Sequence, residues 1–238
     1  DKTLAIVGTA GSGDSFLDGV HIENSDLFAN QLIEITGDAS FDLDNKIDSS
    51  SGIYTQNTMI ESNGTIHLKG FASSGKKISS SNGLQLEDGT IVDGERVRLE
   101  GTGGYSEKKI GFSSGVVIDD SIIISNRTDI KGFGGSSSTM VKTSDGVQFW
   151  DSEINSNQLT IRGRAGYSEK EIDNSVGVYS SDSAITSERV EIKGTGGYGS
   201  SMVETSDGVQ LWDSEINSKE LMIKGSGGYS EQNIDASS

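Results

Sequence analysis

Apolar residues in this chain alternate with polar ones over four to six positions, then give way to small residues. The same phrase begins again about 31 residues later. A glycine followed by an apolar residue stands at Gly19, Gly52, Gly83, Gly115, Gly146, Gly177 and Gly208, at intervals of 33, 31, 32, 31, 31 and 31. A second glycine closes an apolar-x-apolar-x-Gly phrase at Gly37, Gly70, Gly101, Gly132, Gly163, Gly194 and Gly225. Aligned on the first glycine, the fifth following residue is always Asn or Asp: Asn24, Asn57, Asp88, Asp120, Asp151, Asp182 and Asp213. A small residue comes next, and the eighth residue is always Leu or Ile. Val141–Asp173 and Val203–Asp235, offset by 62, agree at 23 of 33 places, so the last four units form two similar pairs.

Period-2 alternation predicts short strands with one buried face, and no window carries the 3.6-residue period of a long helix. A unit of about 31 residues with three short strand phrases and glycine turns suits one coil of a parallel β-helix, stacked on its neighbours at about 4.8 Å. The expected fold is therefore all-β: a right-handed parallel β-helix of seven to eight coils, its handedness taken from the preference of parallel connections. Stacking makes Val20, Ile53, Leu84, Val116, Val147, Val178 and Val209 one apolar column. The Asn/Asp column is expected to cap turns through local backbone N–H groups. Residues 1–238 read as a single solenoid segment of a longer protein, with less regular coils over 1–114 and regular ones over 115–238. The chain begins inside an apolar alternation with no leader pattern, and coils of the same longer chain are expected on both sides.

Composition sharpens this picture. The 238 residues include 32 glycines, no proline and no cysteine. Glycine is assigned to turns, and the absence of proline suits a chain whose N–H groups are claimed by ladders. Without cysteine there is no disulfide scaffold, thiolate metal site or cysteine nucleophile. Two histidines, His21 and His67, leave little for a histidine-based site, and a net charge of −17 argues against a nucleic-acid partner. No apolar run is long enough for a transmembrane helix.

The phrase from Gly208 to Gly228, Gly-Val-Gln-Leu-Trp-Asp-Ser-Glu-Ile-Asn-Ser-Lys-Glu-Leu-Met-Ile-Lys-Gly-Ser-Gly-Gly, resembles repeats of cyanobacterial filamentous-haemagglutinin-like exoproteins. The same phrasing fits Gly177–Gly197 and, more loosely, Gly115–Gly135. The resemblance implies a secreted or cell-surface protein with a right-handed β-helical shaft, exported by a two-partner (TpsB-type) route and used in adhesion.

Candidate chemistry is sparse. A catalytic carboxylate pair should be singular, whereas the Asn/Asp column repeats in every coil, so it reads as structural. Acid clusters such as Asp38/Asp42/Asp44 and Asp119/Asp120 are weak calcium candidates, but no EF-hand or Gly-Gly-x-Gly-x-Asp repeat occurs, and no cofactor is expected. Tyr105, Tyr167, Tyr198 and Tyr229 follow glycine-rich turns, and the last three are spaced to stack on consecutive coils, with Phe41 at the equivalent earlier place. Trp150 and Trp212 take outward slots two coils apart. Trp150, Trp212, Tyr167, Tyr198 and Tyr229 are the candidate glycan or lateral contacts. Basic residues at Lys69, Lys131, Arg162, Lys193 and Lys224 form a further column, interrupted by Glu100.

The expectation is a non-enzymatic extracellular structural or adhesive rod, the shaft of a haemagglutinin-like surface protein. The alternatives are a subunit of an end-to-end filament with homotypic partners, and a β-helix that binds a cell-surface glycan or cleaves a polysaccharide at the irregular stretches Asp38–Ser50 or Phe71–Ser80.

Overall fold

The computed structural model describes residues 2–11, 13, 16–39, 41–231 and 233–237; the side chains of 41–45 and 233–237 lie outside the description, and with them Phe41, Asp42 and Asp44 as site candidates. The chain is an all-β parallel solenoid of about seven coils with a repeat near 31 residues. Every strand pair is parallel. One sheet stacks Thr3–Thr9, Leu32–Asp38, Met59–Phe71, Ile91–Thr102, Ile122–Phe133, Glu153–Arg164, Ala184–Thr195 and Glu215–Ser226, and Asp26–Ala29 joins beside Met59–Phe71. The other stacks Phe16–Glu23, Phe41–Gln56, Ser74–Glu87, Tyr105–Asp119, Met140–Trp150, Glu171–Ser181, Met202–Trp212 and Asn233–Ser237. A regular coil has two long strands and one of two residues, as in Met140–Trp150, Glu153–Arg164 and Tyr167–Ser168. Register shifts fall between Asp42 and Lys46, Ser62 and Thr65, and Gly75 and Lys77.

The corner between the two sheets is made by the Asn/Asp column. All seven residues have positive φ, from 42° at Asp120 to 51° at Asp182. This left-handed region costs most L-residues about 1–2 kcal/mol, and Asn and Asp tolerate it best after glycine. The column therefore supplies backbone conformation, and the following residue makes the local bond. Ser121 Oγ donates to Asp119 O at 2.7 Å, Ser152 Oγ to Trp150 O at 2.6 Å and Ser183 Oγ to Ser181 O at 2.8 Å. At Asp88 the corner is one residue longer: Gly89 also takes positive φ, and Thr90 Oγ1 donates to Glu87 O at 2.8 Å.

The two glycine columns do different work from the turn role that composition suggested. They lie inside strands, and among the described glycines only Gly89 has positive φ. A Cβ on Gly163 would overlap the Gly177 carbonyl oxygen and come within 2.6 Å of its carbon and 2.8 Å of Val178 Cγ2. Gly132 meets Gly146, and Gly194 meets Gly208, in the same way. The two sheets thus touch backbone to backbone through each coil, and the contact divides the interior. On one side lies the larger apolar cluster, including Val147, Phe149, Ile154, Leu159 and Ile161. Beyond the pinch runs a single column of Leu17, Ile47, Ile78, Ile110, Val141, Ile172 and Val203. Each fully buried aliphatic side chain stabilises the coil by about 1.5–3 kcal/mol relative to exposure.

Buried serines line the smaller compartment and satisfy its polar backbone. Ser206 Oγ accepts the Gly197 N–H at 2.7 Å and a bond from Ser175 Oγ at 2.9 Å, and Ser144 Oγ donates to Gly135 O at 3.1 Å. Sequence reasoning assigned no role to these serines.

Candidate functional site

Outside the sheet that carries Met140–Trp150, the residue before each first glycine forms a column: Asp18, Ser51, Asn82, Ser114, Asp145, Val176 and Asp207. The glycine interrupts the ladder here, and on alternate coils a side chain bridges the gap. Asp18 Oδ1 accepts the Ser51 N–H at 3.0 Å, Asn82 Oδ1 that of Ser114 at 3.1 Å, and Asp145 Oδ1 that of Val176 at 2.7 Å. Each bridging side chain is held by the residue three positions on. His21 Nδ1 lies 2.8 Å from Asp18 Oδ2, Asn82 Nδ2 donates to Gln85 Oε1 at 2.9 Å, and Gln148 Nε2 donates to Asp145 Oδ2. Gln210 Nε2 likewise donates to Asp207. This two-coil alternation gives the 62-residue rhythm a physical basis. Asp145 is buried, and desolvation pushes its carboxyl up to about 6 against the opposing bonds from Val176 and Gln148.

Above Asp145 lies an open groove of about 360 Å³. Phe112, Trp150 and Tyr179 supply its aromatic walls, and Thr143, Asn174, Gln148 and Gln210 its polar groups. The Trp150 and Tyr179 rings are tilted at 43°, 4.7 Å between centroids. Phe112 is 61% exposed and Trp150 37%, so both offer ring surface to solvent. Trp212 is exposed in the same column as Trp150, with Ser181 between them.

The tyrosines form a ladder. Tyr167 and Tyr198 stack at 5.2 Å and 3°, and Tyr198 and Tyr229 at 5.6 Å and 15°. Both faces of Tyr198 are therefore covered by its neighbours. A sugar ring needs a free aromatic face, which Tyr198 lacks; Tyr167 and Tyr229 each stack on one tyrosine only and stay exposed, and the Trp150 groove offers further ring faces. Tyr198 Oη donates to Glu231 at 2.7 Å, and that bond leads the effects raising the phenol to about 12. Tyr105 stands apart from the ladder because Ser136 occupies the coil between it and Tyr167; its hydroxyl lies 2.8 Å from Ser138 Oγ.

The charged columns complete the surface. His67 lies 3.4 Å from Glu100 and 3.8 Å from Glu34, and His21 packs 4.8 Å from the Tyr54 ring. Lys69 and Lys131 each sit 4.9 Å over the rings of Phe71 and Phe133. Glu171, Asp173 and Glu204 bring carboxylate oxygens within 4.8 Å of one another, a convergence from two adjacent coils that sequence reading missed. Asp119, beside the corner column, is held above the ordinary carboxylate range by burial and then by Glu87, Asp151, Asp88 and Asp120. Among the described residues no helix is long and apolar enough to cross a membrane.

Compared with known proteins, the chain matches no family model, no curated protein and no solved structure. Its strand order and register make it a parallel β-solenoid of the general class of β-helix repeat proteins.

Proposed function

We propose that this chain is a non-enzymatic extracellular rod, a structural and adhesive shaft of the haemagglutinin-like kind. The observation that carries the reading is repetition without a register shift from residue 91 to residue 226. From Ile91–Thr102 to Glu215–Ser226 in one sheet, and from Tyr105–Asp119 to Met202–Trp212 in the other, register runs without a shift. A coil built for catalysis departs from its neighbours to bring unlike groups together, whereas a spacer repeats one solution. The acidic composition keeps such a rod soluble, and the filamentous-haemagglutinin resemblance of Gly208–Gly228 supports a cell-surface setting. The expected result from electron microscopy of native particles is isolated rods anchored to cells. Long fibres with axial coil spacing would instead establish the filament subunit, in which coils of separate copies stack end to end.

A second reading, glycan binding without cleavage, is favoured by one observation: the groove above Asp145 combines exposed aromatic faces with amide groups, the combination that receives a neutral sugar. A glycan array is expected to show binding that both Trp150→Ala and Phe112→Ala abolish. An array to which the unaltered chain does not bind would end this reading.

A further inference from the structure

The chain has only six arginines: Arg96, Arg98, Arg127, Arg162, Arg164 and Arg189. All six are exposed on one face of the rod, on the four consecutive strands Ile91–Thr102, Ile122–Phe133, Glu153–Arg164 and Ala184–Thr195. Register stacks Arg96 on Arg127, Lys131 on Arg162 and Arg162 on Lys193. The windows 96–102, 127–133, 158–164 and 189–195, which lie over one another, contain eight Lys+Arg and three Asp+Glu, a balance of 8 − 3 = +5. The rest of the chain therefore carries −17 − 5 = −22. Five of the eight cations are used locally: Arg98 bonds Glu100 at 2.9 Å, Arg127 bonds Asp129 at 3.0 Å, Arg162 and Lys193 share Glu191, and Arg189 lies 3.7 Å from Glu220. Arg96 and Arg164 have no carboxylate partner among the described residues, and Lys131 meets only the Phe133 ring.

The corner column presents the opposite charge. Asp88, Asp120, Asp151, Asp182 and Asp213 are exposed on five successive coils, and no Lys or Arg pairs with any of them among the described residues. Stacked carboxylates repel at this spacing unless something neutralises them.

We propose that copies of this chain pair side by side, the arginine face of one rod seated on the aspartate corner of the next. The inference holds for a shaft and for a filament subunit alike, and rests on neither reading.

Axial commensurability singles out a second copy. Both ladders repeat once per coil, at about 4.8 Å, so a carboxylate of one rod falls beside a cation of the other along the whole shared length. The contact is heterologous, since two different faces meet, so it can extend beyond a pair. The net charge of −17 opposes association at long range. At about 0.15 M salt the screening length is about 8 Å, which removes most of that repulsion while leaving charges in contact still attracting.

The test is sedimentation and small-angle scattering of the full chain, in EDTA, across salt concentration. Side-by-side pairing is expected to enlarge the cross-section, to peak near about 0.15 M salt, and to weaken at both about 0.01 M and about 1 M. The combined variant Arg127→Gln, Arg162→Gln, Arg164→Gln, and separately Asp120→Asn, Asp151→Asn, Asp182→Asn, should each weaken association about tenfold or more. Asn already serves this corner at Asn24 and Asn57, so the second variant keeps its fold, as circular dichroism would verify. Mixing the two variants should restore a one-to-one complex that does not extend, because one retains the acidic corner and the other the basic face. A chain that stays monomeric throughout, or association indifferent to either set, overturns the proposal. So does a monomer whose arginine face instead captures polygalacturonate, which would assign that face to an acidic polysaccharide.

Discussion

Replacing Asp145 with Asn is expected to stabilise the chain at pH 7.5 by about 3 kcal/mol and to flatten its stability between about pH 6 and pH 4. The buried carboxyl is pushed up to about 6 from an ordinary 3.8, chiefly by desolvation. The folded chain therefore binds this proton more tightly than the unfolded chain does. Above about pH 6 the carboxylate is charged, and the part of its burial penalty that the Val176 and Gln148 bonds do not offset opposes folding. As pH falls through 6 towards 3.8 the group takes up its proton and the penalty disappears, so this site favours folding on mild acidification.

Asparagine offers the neutral form at every pH, and the rod contains its own precedent. Asn82, two coils earlier in the same column, accepts the Ser114 N–H at 3.1 Å and donates to Gln85 Oε1 at 2.9 Å. In the Asp145→Asn chain, Oδ1 keeps the Val176 N–H, and Gln148 turns its amide to accept from Nδ2. Urea denaturation at pH 7.5 and pH 5 checks the result. A variant no more stable than the parent at pH 7.5 would show that the charged bonds from Val176 and Gln148 outweigh desolvation.

Replacing Gly163 with Ala is expected to cost about 4 kcal/mol or more, the range of severe single substitutions. The added methyl would lie within 2.6 Å of the Gly177 carbonyl carbon, where the obstacle is backbone and cannot rotate away. Relief requires the two sheets to separate at the pinch, which opens both apolar compartments in that coil. Because coils touch mainly their neighbours, the damage should uncouple the rod and convert one unfolding transition into two. Gly11→Ala is the control, since an added methyl there meets nothing within 4 Å. A single unshifted transition in Gly163→Ala would sink the idea that this contact couples the sheets.

The positions that stack on one another are legible in the amino-acid order alone. Val147 over Val116, Ile161 over Ile130 and Ser152 over Ser121 follow from the repeat, because a parallel ladder sets like residues at the same step above each other. The Asn/Asp column is legible as a corner, although its physical basis, positive φ, is hidden behind a side-chain bonding role. Glycine is less transparent. Gly163 and Gly177 stand 14 positions apart, and nothing in their local phrases marks them as touching across the coil. The pairs Asp145 with Gln148 and Asn82 with Gln85 pass in sequence as ordinary outward polar residues, since burial, not identity, gives them their role.

Coil length, parallel stacking, the apolar columns and the sites of the corners are set by the amino-acid order alone. Each is a property of the step from one coil to the next, and that step is written directly as a period. The path within a coil emerges only once the chain is folded. Where that path folds back sets the glycine pinch, the burial of Asp145 and the aromatic groove beside Trp150. These depend on which residues of one turn come face to face, and a repeat carries the interval between coils without the shape of the loop it closes.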